Sequence, residues 1–228
     1  MVGRTKGLMM FMTDTTPKRI ALVLVCLAVT TACWVWIILG QRSGLKANLK
    51  QHQGLGQVMA EETIRLLGRN GSKRIVLVAL DIADPALTAQ LKAFQQTLKQ
   101  CQNLKIEDRV LLKADEQHRS GPGVGLSAKR LAEIVKAHPG SDAIVSFAGV
   151  PNPEQAEMKG LDLKDKKFIA EARQSPERIK KLLERNVLDA VIVPRFTFPA
   201  PAPKKCKTSR QWFDKYFQVI ERDHQSTE

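Results

Sequence analysis

The chain has 228 residues, 43% hydrophobic and 26% charged, with a net charge of +13. Setting aside one long apolar segment leaves about 150–180 residues, enough for one sizeable core but not two. Residues 1–40 carry +3, and the other +10 is scattered through predicted helices. That pattern reads as a solvated basic surface and speaks against specific nucleic-acid binding.

Residues 1–19 form a basic tail containing Arg4, Lys6, Lys18 and Arg19. Ile20 to Gly40 follows, an apolar run interrupted only by Thr30 and Thr31, with Trp34 and Trp36 near one end. About 20 such residues suffice to span a hydrocarbon core, and indole rings favour its interface. The expectation is a retained transmembrane anchor in a bacterial inner membrane with an extracytoplasmic domain beyond it. Thr30-Thr31-Ala32-Cys33 is a poor lipobox, followed by apolar rather than polar residues, so a lipoprotein is the minor alternative. Arg42, Lys46 and Lys50 follow the run closely, so the charge bias that sets orientation is small.

Residues 41–54 read as a polar juxtamembrane stalk. Val58, Met59, Ile64, Leu66 and Leu67 then predict a helix ending near Gly68, and Asn70-Gly71 marks a turn. Ile75 to Leu80 is an unbroken β-branched and leucine run, as in a strand buried on both faces of a parallel sheet. Asp84 suits a helix N-cap and Pro85 its first turn; Leu87, Leu91, Phe94, Leu98 and Cys101 form one helical stripe. Lys105–Leu112 is a weaker strand. Residues 115–126 make a loop with Gly121, Gly123 and Gly125. Ser127 caps a helix whose inner face is Leu131, Ile134 and Val135.

Ala143–Phe147 is a buried strand ending at Ala148-Gly149-Val150-Pro151. An irregular stretch follows, with one short helix around Glu154–Lys159. Lys167–Ala172 is a strand, Ser175-Pro176 opens a helix with Ile179, Leu182 and Leu183 inward, and Leu188–Val193 is a strand. Residues 197–228 hold a stiff proline-rich connector and an aromatic helix, with Trp212, Phe213, Tyr216, Phe217 and Ile220 at helical spacing.

Strand and helix alternate with short connections. The fold class expected for residues 55–196 is α/β, a single doubly wound parallel five-stranded sheet in the order 2-1-3-4-5, preceded by one transmembrane helix. Ligands of such sheets bind outside the carboxyl ends where the order reverses. Here those ends are Asp81–Asp84 and Ala148–Asn152.

Three stretches resemble one lobe, of the second type, of the type I periplasmic sugar-binding proteins and lactose-repressor-like regulators. They are GQVMAEETIRLLGRNGSKRIVLV, LSAKRLAEIVKAHPGSDAIVSFAGVPNPEQAEM and KKFIAEARQSPERIKKLLERNVLDAVIVPR, together covering residues 56–196. The resemblance implies a domain that binds rather than transforms a small molecule, a sugar or an anion. The family encloses its ligand between two lobes and this chain has room for one, so a homodimer or a membrane partner protein is the expected complement. Where many members carry an Asn-Asp pair, this chain has Ala148-Gly149-Val150-Pro151. Where a Gly-x-Asp is common, it has Glu171-Ala172-Arg173.

The candidate ligand-binding residues are Asp81, Asp84, Ser146, Gly149, Asn152 and Arg173. Arg173 is the candidate for an anionic ligand because its fork matches carboxylate or phosphate; a surface salt bridge is its competing use, and helix capping is that of Asp84. The loop Ser120–Ser127 precedes a helix but matches no dinucleotide or phosphate-loop spacing. His52, His118, His138 and His224 form no i, i+4 pair. Cys101 and Cys206 fit no zinc spacing; they are two unrelated thiols or, in an oxidising compartment, a pair. No cofactor is expected. Lacking an acidic cluster and a G-x-S-x-G elbow, the chain reads as non-enzymatic. The competing reading is a structural or interaction module at the membrane or cell wall, using the basic surface and aromatic tail.

Overall fold

The computed structural model describes residues 17–68, 70–113, 126–154, 161, 163, 165–195 and 206–222. The loop 120–125, the short helix around 154–159, most of the proline-rich connector, His118 and His224 lie outside the described residues. The chain divides into two compact units, Met1–Ala47 and Asn48–Glu228.

The elements in chain order are α1 (Pro17–Leu67), β1 (Lys73–Leu80), α2 (Pro85–Leu98), β2 (Leu104–Leu112), α3 (Ala128–Ala137), β3 (Ala143–Ser146), β4 (Lys167–Glu171), α4 (Pro176–Glu184), β5 (Ala190–Pro194), α5 (Ser209–Tyr216) and β6 (Phe217–Glu221). They build one six-stranded sheet in the order β2-β1-β3-β4-β5-β6. The first five strands are parallel and follow the expected order. The sixth is an addition, running antiparallel along β5.

The aromatic tail is therefore half helix and half strand, not one helix. Thr208 and Gln211 form a reciprocal capping box that starts α5, and the chain extends at Phe217 with φ −131° and ψ 164°. The physical reason is the open edge of β5, whose main-chain groups need partners. Val219 and Ile220 suit a strand, and they pair with Ile192 and Val191. Phe213 and Phe217 sit four apart, which imitates a helical stripe, yet both are buried in one cluster across the turn from helix to strand.

The expected membrane anchor and the inner-membrane, extracytoplasmic placement drawn from it are corrected. Among the described residues no helix is long and apolar enough to cross a membrane. Residues 41–54 belong to α1 itself.

From His52 onward α1 packs by a stripe. His52, Leu55, Met59, Ala60 and Thr63 are buried at helical spacing. Two glycines set how closely it docks. A Cβ on Gly54 would stand 2.2 Å from the carbonyl oxygen of Ser209, and one on Gly56 would stand 2.0 Å from that of Gln90. Gly68, with φ +70°, takes the left-handed conformation that closes the helix as its amide bonds the Ile64 carbonyl at 3.0 Å.

Alternation in the strands divides the core into two layers. Val76, Val78, Ile144, Phe168 and Val191 face the cluster that contains residues of α3 and α4. Ile75, Leu77, Val145, Ile169 and Ile192 face the one that contains residues of α1, α2 and α5. Both faces of the sheet are thus covered, which explains the continuous apolar runs.

The amino ends of the strands carry a repeated clamp. Asp142, just before β3, accepts the Arg74 amide at 2.8 Å and the Lys73 ammonium at 3.1 Å. Asp189, just before β5, accepts the Phe168 amide at 3.0 Å and the Lys167 ammonium at 3.1 Å. Each carboxylate stitches an incoming strand to its neighbour. Polar chemistry at this end of the sheet is consumed by structure.

Candidate functional site

The opposite, carboxyl end is built differently. β4 is buried from Phe168 through its last residue, Glu171. A carboxylate in that position has lost its water and needs partners from protein. One oxygen of Glu171 accepts from Arg173, Nε at 3.4 Å and Nη2 at 3.3 Å. The other accepts from Gln90 Nε2 of α2 at 3.3 Å. The same Gln90 nitrogen lies 2.9 Å from Nδ1 of His52 on α1. Three elements distant in sequence thus converge on a chain of four polar side chains.

The electrostatics follow from burial. Desolvation pushes the Glu171 carboxyl above the usual carboxylate range, opposed by the Arg173 charge and by hydrogen bonds from Arg173 and Gln90. Burial holds the His52 imidazole below its ordinary value; Arg173 adds to this and Asp84 opposes it. His52 is therefore a neutral ring at neutral pH. The Arg173 side chain is 70% exposed while that of Glu171 is 8% exposed, so the pair presents a cation outward from a buried anion.

The floor beside this network is shaped by β3. Phe147 packs edge-on against Phe94, ring centroids 5.5 Å apart. Beyond it Ala148 and Val150 are buried and Gly149 takes φ +95°, a conformation that favours glycine. Gln174 donates to the Val150 carbonyl at 3.0 Å, and its buried Oε1 has no hydrogen-bond partner among the described residues. The end of β3 thus supplies apolar wall and main chain, with an unused amide acceptor next to it.

The residues singled out from sequence divide by use. Arg173 lies in the network, and Asp84 reaches it electrostatically while its carboxylate caps α2 through the Ala86 amide at 2.8 Å. Ser146 is fully buried, its hydroxyl donating to the Gly149 carbonyl at 2.7 Å and accepting from the Ala148 amide at 3.2 Å. Asn152 accepts the Glu154 amide at 3.1 Å, closing a local turn. Asp81 is exposed at the end of β1. No hydrogen bond among the described residues joins Asp81, Ser146 or Asn152 to the Glu171 network.

His52, Gln90 and Glu171 escaped sequence reasoning. Gln90 is separated by 38 residues from His52 and by 81 from Glu171, distances that no periodicity reports. One signal was present: Glu171 follows FIA in a strand otherwise built to be buried. Among the described residues no three His, Cys, Asp or Glu side chains are grouped to hold a metal ion.

A groove of about 1230 Å³ lies elsewhere, lined by Gln53 and Gln57 of α1, Gln96 of α2 and Gln100 just beyond it. Its lining charges Glu61 and Arg65 are met by Arg210 and by Glu62 and Glu221. It lacks the buried, partly unmatched polar groups of the strand ends.

Set beside solved structures, the fold is that of one lobe of the type I periplasmic sugar-binding proteins. The chain is similar to a transporter solute-binding protein from Burkholderia graminis C4D1M in complex with D-arabinose, at 14% identity and TM-score 0.51, covering 78% of this chain and 62% of that one. It is similar to AraP, an arabinose-binding protein from Geobacillus stearothermophilus, at 14% identity and TM-score 0.50, covering 75% and 61%. A third likeness is to a chain of the XylFII-LytSN complex, at 16% identity and TM-score 0.51, covering 75% and 60%. The chain spans about three fifths of the length of these proteins. No protein-family model and no curated protein matches the sequence.

Proposed function

We propose that the Asn48–Glu228 unit captures a small, neutral, polyhydroxylated molecule of the sugar class at the carboxyl end of its sheet and does not transform it. The observation that carries this reading is the Glu171–Gln90–His52 chain with Arg173 at its mouth. A carboxylate, a guanidinium, a carboxamide and a neutral imidazole offer mixed donors and acceptors, as vicinal hydroxyls require. The Arg173 charge is already met by Glu171, which favours a neutral ligand over an anion. The neighbours named for arabinose support the sugar class by fold only. We propose a second copy of this unit as the lid over the carboxyl end of the sheet.

The competing reading, an interaction module using the basic surface and the aromatic tail, keeps Tyr216 exposed but loses Phe213 and Phe217, which are buried. A thermal-shift screen of the full chain with neutral monosaccharides, sugar acids and inorganic anions tests the proposal. A ligand at 100 times its Kd stabilises by about 2.7 kcal/mol, or a Tm rise of roughly 5–11 °C for a domain of this size. The expected result is such a rise with a neutral sugar. Rises confined to anions, or none at all, would contradict it.

A further inference from the structure

We propose that His52 is a ligand-contacting donor of this site, that Gln90 fixes its tautomer, and that the ligand atom it meets is a hydrogen-bond acceptor such as a hydroxyl or ring oxygen. The inference rests on the capture reading above and adds the residue that selects for it.

The argument is one of hydrogen counting. Gln90 Nε2 carries two hydrogens and cannot accept. It lies 3.3 Å from Glu171 Oε2 and 2.9 Å from His52 Nδ1. One hydrogen goes to each, so Nδ1 of His52 is an acceptor. The ring is neutral because burial and the Arg173 charge oppose its protonation. A neutral imidazole with an accepting Nδ1 carries its hydrogen on Nε2. Among the described residues nothing accepts that hydrogen. His52 is nonetheless 91% buried, its residue exposure being 9%. Nε2 is not one of the buried atoms left without a partner, so the N–H is open to water, and a ligand oxygen beside Arg173 would take that water's place.

The charged groups that act on His52 are Arg173, which resists a second proton, and Asp84, which favours one. Gln90 is a positioning residue. Glu171 orients it, and the tight approach of α1 at Gly56 to the Gln90 carbonyl holds the two helices in register. No role for His52 was legible along the chain because its partners come from α2 and β4.

The test uses the full chain labelled with ¹⁵N-histidine, with His52 assigned by the signal missing in His52→Phe. At pH 7 the His52 ring should show the neutral Nε2–H pattern. Gln90→Leu should release Nδ1 and give a mixture of tautomers, a change that a purely structural glutamine would not produce. A neutral monosaccharide panel of D-arabinose, D-xylose and D-galactose is then titrated in. The sugar that binds should shift the His52 Nε2 resonance, and His52→Phe should weaken it about tenfold, the loss of one hydrogen bond.

A cationic or Nδ1–H ring at pH 7 overturns the proposal whatever binds. A sugar that binds while the His52 resonance stays still overturns it also. A panel that binds nowhere overturns the capture reading and the donor's role with it, and a Nε2–H ring in the same spectra marks that as a failure of function, not of tautomer.

Discussion

Two carboxylates at opposite ends of the sheet answer pH in opposite directions. Burial raises the folded pKa of Glu171 above its unfolded value. The native state therefore holds that proton more tightly, and the stability this group contributes is complete at acid pH. It declines as pH rises from the ordinary carboxylate value through the raised one. Glu171→Gln mimics the protonated form and leaves Arg173, which is mostly exposed, without a buried charge to lose. The variant should match the wild type below that window and exceed it in Tm above, by a few degrees for roughly 1 kcal/mol; thermal melts from pH 3 to 8 check this. Asp142 behaves inversely. Burial works to raise its pKa but is outweighed by the Arg74 amide and the Lys73 and Arg74 charges, which hold it below the usual range. Its contribution is present at neutral pH and is lost as pH falls through that lowered value. Asp142→Ala should cost about 1.5–3 kcal/mol at pH 7, with the difference from wild type vanishing in acid unfolding curves.

Among elements, the α1–α2 crossing has the least room. At Gly56 a methyl group would meet backbone, not a side chain that can swing aside. Gly56→Ala should cost about 1–3 kcal/mol by overpacking, displace Gln90 and weaken the proposed sugar binding together with Tm. Gly68→Ala, where a methyl group meets nothing, carries only the penalty of positive φ, about 1 kcal/mol, and should leave binding intact. Paired denaturant titrations and sugar titrations separate the two. The buried strands were legible because runs such as IVLVAL and DAVIV can only sit between two covered faces, and α2 because its leucines keep one stripe. β6 was not, since an aromatic spacing of four fits a helix as well as a helix followed by a strand. The His52–Gln90–Glu171 chain was hidden because each member has an ordinary local use, and only the register of β4 against α2 brings them together.

At the scale of the whole molecule, strand order decides where chemistry can occur. Strands β2 and β3 leave β1 on opposite sides, so a crevice opens at the carboxyl ends, while the amino ends are tied by the two aspartate clamps. The carboxyl ends of this sheet give a ligand one wall. If a second copy supplies the other, sedimentation should show a monomer–dimer shift on adding the sugar that binds, and a Glu171→Ala variant should lose that shift along with binding. The most direct measurement is hydrogen exchange of the full chain with and without that sugar. Slowed exchange confined to Phe147–Val150, Glu171–Gln174 and the α1 segment around His52 is the predicted result. Protection at Gln96–Asn103, along the glutamine-lined groove, with none at the ends of β3 and β4, would contradict it.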